Sequence, residues 1–178
     1  MAEFDALAVI KSIGNSTTTP RDLDDDEDVK LVLMVLAGSV AARIREQGFV
    51  GRTVCIYVRG KSLISFSRQT KLEKSTCLES EIFKAAFELF QKHYRWTEPI
   101  RSLGLSVTDF SHDDAPIQFD LFDDYQKQAE QVALERAVDD LRRRFGSYCV
   151  RRASLLKDPK LTGFDPKQDH TIHPVGYF

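Results

Sequence analysis

Apolar residues recur along this chain with two periods, and the switches between them mark its elements. Ile13 followed by Thr17, Thr18 and Thr19 predicts a short strand that Pro20 ends, because proline cannot donate to a ladder and restricts the residue before it. Val29, Val32, Leu33, Leu36, Val40 and Ile44 then recur at helical intervals. The acidic run Asp22 to Asp28 suits the positive N-terminal end of that helix, and Gly48 closes it. Val54, Ile56 and Val58 alternate with Thr53, Cys55, Tyr57 and Arg59. After Gly60-Lys61, Ile64 and Phe66 alternate with Ser65 and Ser67, which predicts a hairpin with one apolar and one polar face. Thr76 and Glu79 have capping-box spacing before the stripe Ile82, Ala86, Leu89 and Phe90, so a second helix runs to about His93. Leu103, Leu105 and Val107, alternating with Ser102, Gly104, Ser106 and Thr108, give a last strand.

Strand, helix, strand, strand, helix, strand is the ferredoxin-like order of an α+β domain, with two helices on one face of a four-stranded antiparallel sheet. The other face is left open and displays Tyr57, Arg59, Ser65, Ser67, Ser102 and Ser106, a set suited to phosphate oxygens. This domain occupies residues 1–110. Residues 111–124 show neither period and read as a linker. In residues 125–178, Tyr125, Ala129, Val132, Val138, Leu141 and Phe145 mark a third amphipathic helix that ends at Gly146. Arg142, Arg143 and Arg144 complement its negative end, and the tail from Asp158 reads as irregular.

With 178 residues, 42% of them hydrophobic, the chain can bury one good core. No apolar run approaches a membrane span and the acidic N-terminus lacks a signal peptide's basic flank, so the expected address is cytoplasmic, without membrane contact. Cys55, Cys77 and Cys149, odd in number and widely spaced, are expected to be reduced structural thiols. The net charge of -2 conceals a segregation: between Val50 and Ser75, Arg52, Arg59, Lys61, Arg68, Lys71 and Lys74 face only Glu73. Asp24 to Asp28 read as a solvated helix start rather than a cation site, and His170 and His173 beside Asp169 lack further ligands. No catalytic residue, metal or cofactor is expected in this chain.

Gln118-Phe119-Asp120-Leu121-Phe122 joins a glutamine to apolar anchors on the linker, a form that fits a partner's groove. The pentapeptide resembles the sliding-clamp-binding motif of bacterial polymerases and repair proteins, with Gln118, Phe119, Leu121 and Phe122 as the binding residues. Lys11 to Asp22, Gly51-Arg52-Thr53-Val54 and Ile100 to Val107 resemble the little-finger domain of Y-family translesion DNA polymerases, in which such a motif follows the last strand. Leu155-Leu156 and Leu161-Thr162-Gly163-Phe164 are similar to the tails of Gram-positive members.

The resemblance implies a C-terminal fragment whose catalytic palm is absent, with Met1 an artificial start. The parent is then a DNA-directed DNA polymerase that uses Mg2+ and acts in damage repair within the SOS response. Its partners are template-primer DNA, the sliding clamp (the β subunit) and the palm, finger and thumb of the parent chain. The expected DNA contacts are Lys11, Ser12, Ser16, Arg52, Tyr57, Arg59, Lys61, Ser65, Ser67, Arg68, Lys71, Ser102 and Ser106, together with backbone N–H groups. Two alternatives stand beside this. One is a non-catalytic adaptor that binds clamp and DNA; the other is an RNA-recognition-like module, which requires stacking aromatics on its open face.

Overall fold

The computed structural model describes residues 10–112 and 125–166. Its elements are β1 (Ser12–Leu23), α1 (Asp26–Glu46), β2 (Phe49–Gly60), β3 (Ser65–Thr76), α2 (Glu79–His93), β4 (Ile100–His112), α3 (Tyr125–Phe145), a 3-10 turn at Ala153–Leu156 and α4 (Pro159–Thr162). The four strands form one antiparallel sheet in the order β1-β4-β2-β3. Ile13, Val54, Ile56, Val58, Leu103, Leu105 and Val107 turn to one face, where α1 and α2 cover them. The expected α+β arrangement of element order, antiparallel sheet and two covering helices is present. No helix among the described residues is long and apolar enough to cross a membrane.

α1 starts where the acidic run was expected to start it. The Asp25 carboxylate accepts from Asp28 N at 2.8 Å, and Asp28 in turn receives both terminal nitrogens of Arg21 at 2.5 and 2.7 Å. Asp26 accepts from the indole of Trp96 at 2.7 Å. The acidic residues thus cap the helix and tie it to its neighbours. All six apolar positions read from the sequence are fully buried, and Leu31, Ala37, Ala41 and Arg45 are buried as well. α1 is covered on two sides, by the sheet and α2 on one and by α3 and the C-terminal turn on the other.

Three local expectations are corrected. β1 does not end at Pro20 but continues to Leu23. β1 is an edge strand, paired only with β4, and the proline falls in a register shift between Thr18 and Leu23, where no ladder bond is lost. Ile64 is not on the buried face; it stands 74% exposed in the hairpin loop, because the strand register begins at Ser65. Thr76 and Glu79 do not form a capping box. Leu78 is the N-cap, so Glu79 lies at the first helical position, and Thr76 Oγ1 accepts from Leu78 N at 3.0 Å. The amide of Glu79 is held instead by the carboxylate of Glu135 on α3, at 3.0 and 3.1 Å.

The third helix is also mounted differently from its expected stripe. Val132 and Val138 are half-buried, whereas Leu141 and Phe145 face outward with Leu134. α3 is held by charge: Arg45, buried on α1, binds Glu135 and reaches Asp139 at 2.7 and 3.1 Å. Burial pushes the Glu135 carboxyl up, against the opposing pull of the Glu79 N–H and of Arg45. The tail is not irregular from Asp158, since α4 follows, and Leu155 and Leu161 join the main core. Of the thiols, Cys77 is buried and Cys55 half-buried, but Cys149 is exposed and so is no packing residue.

Candidate nucleic-acid interface

Residues directly opposite in an antiparallel sheet share a face, so the register alone lays out the uncovered side. It forms four rows across β1, β4, β2 and β3. They are Ser12, Thr108, Thr53 and Lys71; then Gly14, Ser106, Cys55 and Gln69; then Ser16, Gly104, Tyr57 and Ser67; then Thr18, Ser102, Arg59 and Ser65. The two middle rows carry no charge. Lys71 stands in the first row and Arg59 in the last, six residues apart along the strands, roughly 20 Å at the antiparallel rise.

Small residues keep the surface flat. A Cβ on Gly104 would lie 3.2 Å from the Cβ atoms of both Ser16 and Tyr57, and one on Gly14 would lie 2.6 Å from that of Ser106. The glycines therefore let neighbouring side chains close over the ladder and leave a shallow trough. The central strands spend their amides on both sides in ladders, so free backbone donors are confined to the edges, β1 and β3.

Most of the expected contacts come together here. Ser12, Ser16, Tyr57, Arg59, Ser65, Ser67, Lys71 and Ser106 all lie on the open face, and Lys11 is exposed at its β1 corner. Lys61 extends from the β2–β3 loop beyond the last row. Ser102 has the right parity but is only 8% exposed, and its hydroxyl lies 3.0 Å from that of Thr18, so a neighbour has already taken it. Arg68 pairs with Ile56 and hence lies on the helix-bearing side, its guanidinium 5.3 Å from the Phe66 ring centroid. Arg52 is spent locally, donating to the carbonyls of Leu72 and Glu73 at 3.0 Å where β3 bulges. Gln118, Phe119, Leu121 and Phe122 lie outside the described residues.

Two features were not visible in the sequence. Arg101 has core parity by simple counting, but a register shift between Arg59 and Gly60 turns it outward beside the last row. Asp22, expected only as part of a helix start, lies 3.4 Å from Arg101 and 3.6 Å from Lys61. The loop that carries Lys61 is pinned by Glu98, which accepts from Ser62 N and Ser62 Oγ, both at 2.8 Å. Tyr94, its phenol pushed up by burial and by Glu98, stays protonated and donates to the Glu98 carbonyl at 2.6 Å.

The geometry defines a class: a βαββαβ sheet module whose uncovered face is flat, hydroxyl-bearing and cationic at its ends. The family follows from the comparisons. Residues 10–121 match the impB/mucB/samB family C-terminal domain, and the chain belongs to that family, as a Y-family little-finger domain. It is 42% identical over 158 residues to the DNA polymerase IV of Acetivibrio thermocellus, covering 89% of this chain and 40% of that protein. DNA polymerase IV 2 of Bacillus subtilis is 34% identical over 150 residues, 82% of this chain and 35% of the relative. DNA polymerase IV of Moorella thermoacetica is 34% identical over 151 residues, 85% of this chain and 37% of the relative. The chain thus spans 35–40% of the length of these relatives. Among solved structures, the post-insertion binary complex of Dbh DNA polymerase aligns with 55% of this chain and 28% of its own, at 13% identity and a TM-score of 0.49.

Proposed function

We propose that this chain is the duplex-holding and clamp-tethering part of an error-prone translesion DNA polymerase that acts in DNA damage bypass. The observation that carries the reading is the open face: a flat trough of Ser, Thr and Gly with Arg59 and Lys71 about 20 Å apart along the strands. That span exceeds the ~12 Å width of the major groove, so cations at its two ends can meet both flanking backbones while the uncharged rows cross between them. Such contacts read phosphate and not base, which suits a polymerase that must hold damaged template of any sequence. Tyr57 is the one aromatic in the four rows, and a single ring does not make the stacking platform of an RNA-recognition sheet.

The test is titration of a labelled 20-base-pair duplex with the full chain between 50 and 200 mM salt. Arg59→Glu with Lys71→Glu should weaken binding at least tenfold and flatten the salt slope by about two. Arg68→Glu with Lys84→Glu, the same charge change away from the open face, should cost less than threefold. Equal losses from the two, or binding indifferent to salt, would sink the assignment of the open face. The tether is tested separately: binding to a sliding clamp should disappear when Gln118, Leu121 and Phe122 become alanine, and persistence would remove the motif from the reading.

A further inference from the structure

Three of the cations around the open face are not left to solvent. At the Arg59 end, Asp22 stands between Lys61, 3.6 Å away, and Arg101, 3.4 Å away. At the opposite end, Asp109 lies 3.2 Å from Lys71. These are water-exposed pairs, with the cationic side chains 51–68% exposed, and pairs of this kind add little to stability. Neither carboxylate caps a helix or joins the core. Position in the loop does not depend on Asp22 either, because Glu98 holds it through Ser62.

We propose that Asp22 and Asp109 are built-in competitors of the DNA phosphates, which hold Lys61, Arg101 and Lys71 in place and set the grip of the face below its maximum. The inference rests on the duplex-binding reading above. A phosphate oxygen that takes Arg101 or Lys71 must displace a carboxylate, which then remains beside the DNA backbone and repels it. The two carboxylates flank the uncharged rows, so the weakening applies at both ends of the face. Asp22, with two cations, carries the larger effect.

The experiment is the same duplex titration on the full chain carrying Asp22→Asn, Asp109→Asn or Glu88→Gln. Glu88 lies on α2 beside Lys84, so its variant raises net charge equally without freeing a cation on the open face. Asp22→Asn should tighten binding about fivefold and Asp109→Asn about twofold, with Glu88→Gln close to the parent. The gain from Asp22→Asn should shrink, to the part owed to repulsion of the phosphates alone, when Lys61 and Arg101 are already alanine. Asparagine variants indistinguishable from Glu88→Gln, in a parent that binds duplex, would overturn the inference and leave the duplex reading intact. Absence of binding by the parent and every variant at 50 mM salt would overturn the duplex reading and, with it, the inference. Asp109 is half-exposed, so its variant gives a readout even where Asp22→Asn lowers stability.

Discussion

Helix α1 is gripped from two sides by different physics. Towards the sheet and α2 the contact is apolar: Val29, Val32, Leu33, Leu36, Val40 and Ile44 are fully buried. Towards α3 it is ionic, with Arg45 buried to 3% of its side chain between Glu135 and Asp139. An apolar contact is non-directional and accumulates with area, whereas a buried ion pair is stable only while every partner stays in place. The little finger is therefore built on ordinary core burial, and the helix after it is fastened to that core mainly by a few charges, with Val132 packed beside them. The C-terminal turn also packs on α1, and its Leu155 and Leu161 complete the core.

The strongest test of this contrast is removal of everything after Asp124. If the ionic side were decoration, stability would hardly change. The expected result is a large loss, because truncation exposes the surfaces that Leu155 and Leu161 cover and strips Arg45 of both carboxylates. Two buried leucines account for about 4 kcal/mol by transfer alone. Urea unfolding of the truncated and full chains, followed by far-UV circular dichroism, measures it. An unchanged midpoint would mean that α3 and the turn are passengers.

Arg45→Ala is the sharper and smaller perturbation. Breaking a buried pair from one side costs 3–5 kcal/mol where the remaining charge stays dry; here Glu135 and Asp139 keep 16% and 22% exposure, so about 2 kcal/mol is expected. The loss should be local. Amide exchange in α3 and at the start of α2, where Glu135 holds the Glu79 amide, should rise well before exchange in β2 and β4. Uniform acceleration across the sheet would place Arg45 in the main core and erase the distinction.

How far the sequence revealed this depends on the kind of interaction. Period and parity were enough for α1, α2, β2 and β4, because burial of one face is written into every second or every third and fourth residue. Parity also placed Tyr57, Arg59, Ser65, Ser67 and Ser106 on the open face. It failed where the ladder slips. Arg101 turns outward and Pro20 is tolerated only because of register shifts in β4 and β1, and no alternation rule registers an extra residue. Arg68 was legible in principle, since it shares parity with Phe66, but charge drew it to the wrong face. The order β1-β4-β2-β3 is a long-range choice that element order leaves open. The attachment of α3 was hidden for a different reason: Arg45, Glu135 and Asp139 look like solvated helix charges until their partners, 90 and 94 residues away, are known.

The smallest expected effect concerns the outermost fastening, where Asp158 caps α4 by accepting from Leu161 N at 3.0 Å and receives Arg21 at 3.0 Å. The Leu161 N–H, and then Arg21, hold the Asp158 carboxyl below its usual 3.8. A carboxylate with a depressed folded pKa contributes stability above its unfolded value, and the contribution is lost as pH falls through the folded one. Asp158→Asn keeps a good helix cap but loses the ion pair, so at pH 7 it should cost only a few tenths of a kcal/mol. The informative quantity is the gap in melting temperature between parent and variant from pH 7 to pH 2. That gap should stay constant down to about pH 4 and close below it as Asp158 protonates, whereas a gap that widens in acid would mean that the Arg21 pair is not what holds the tail to β1.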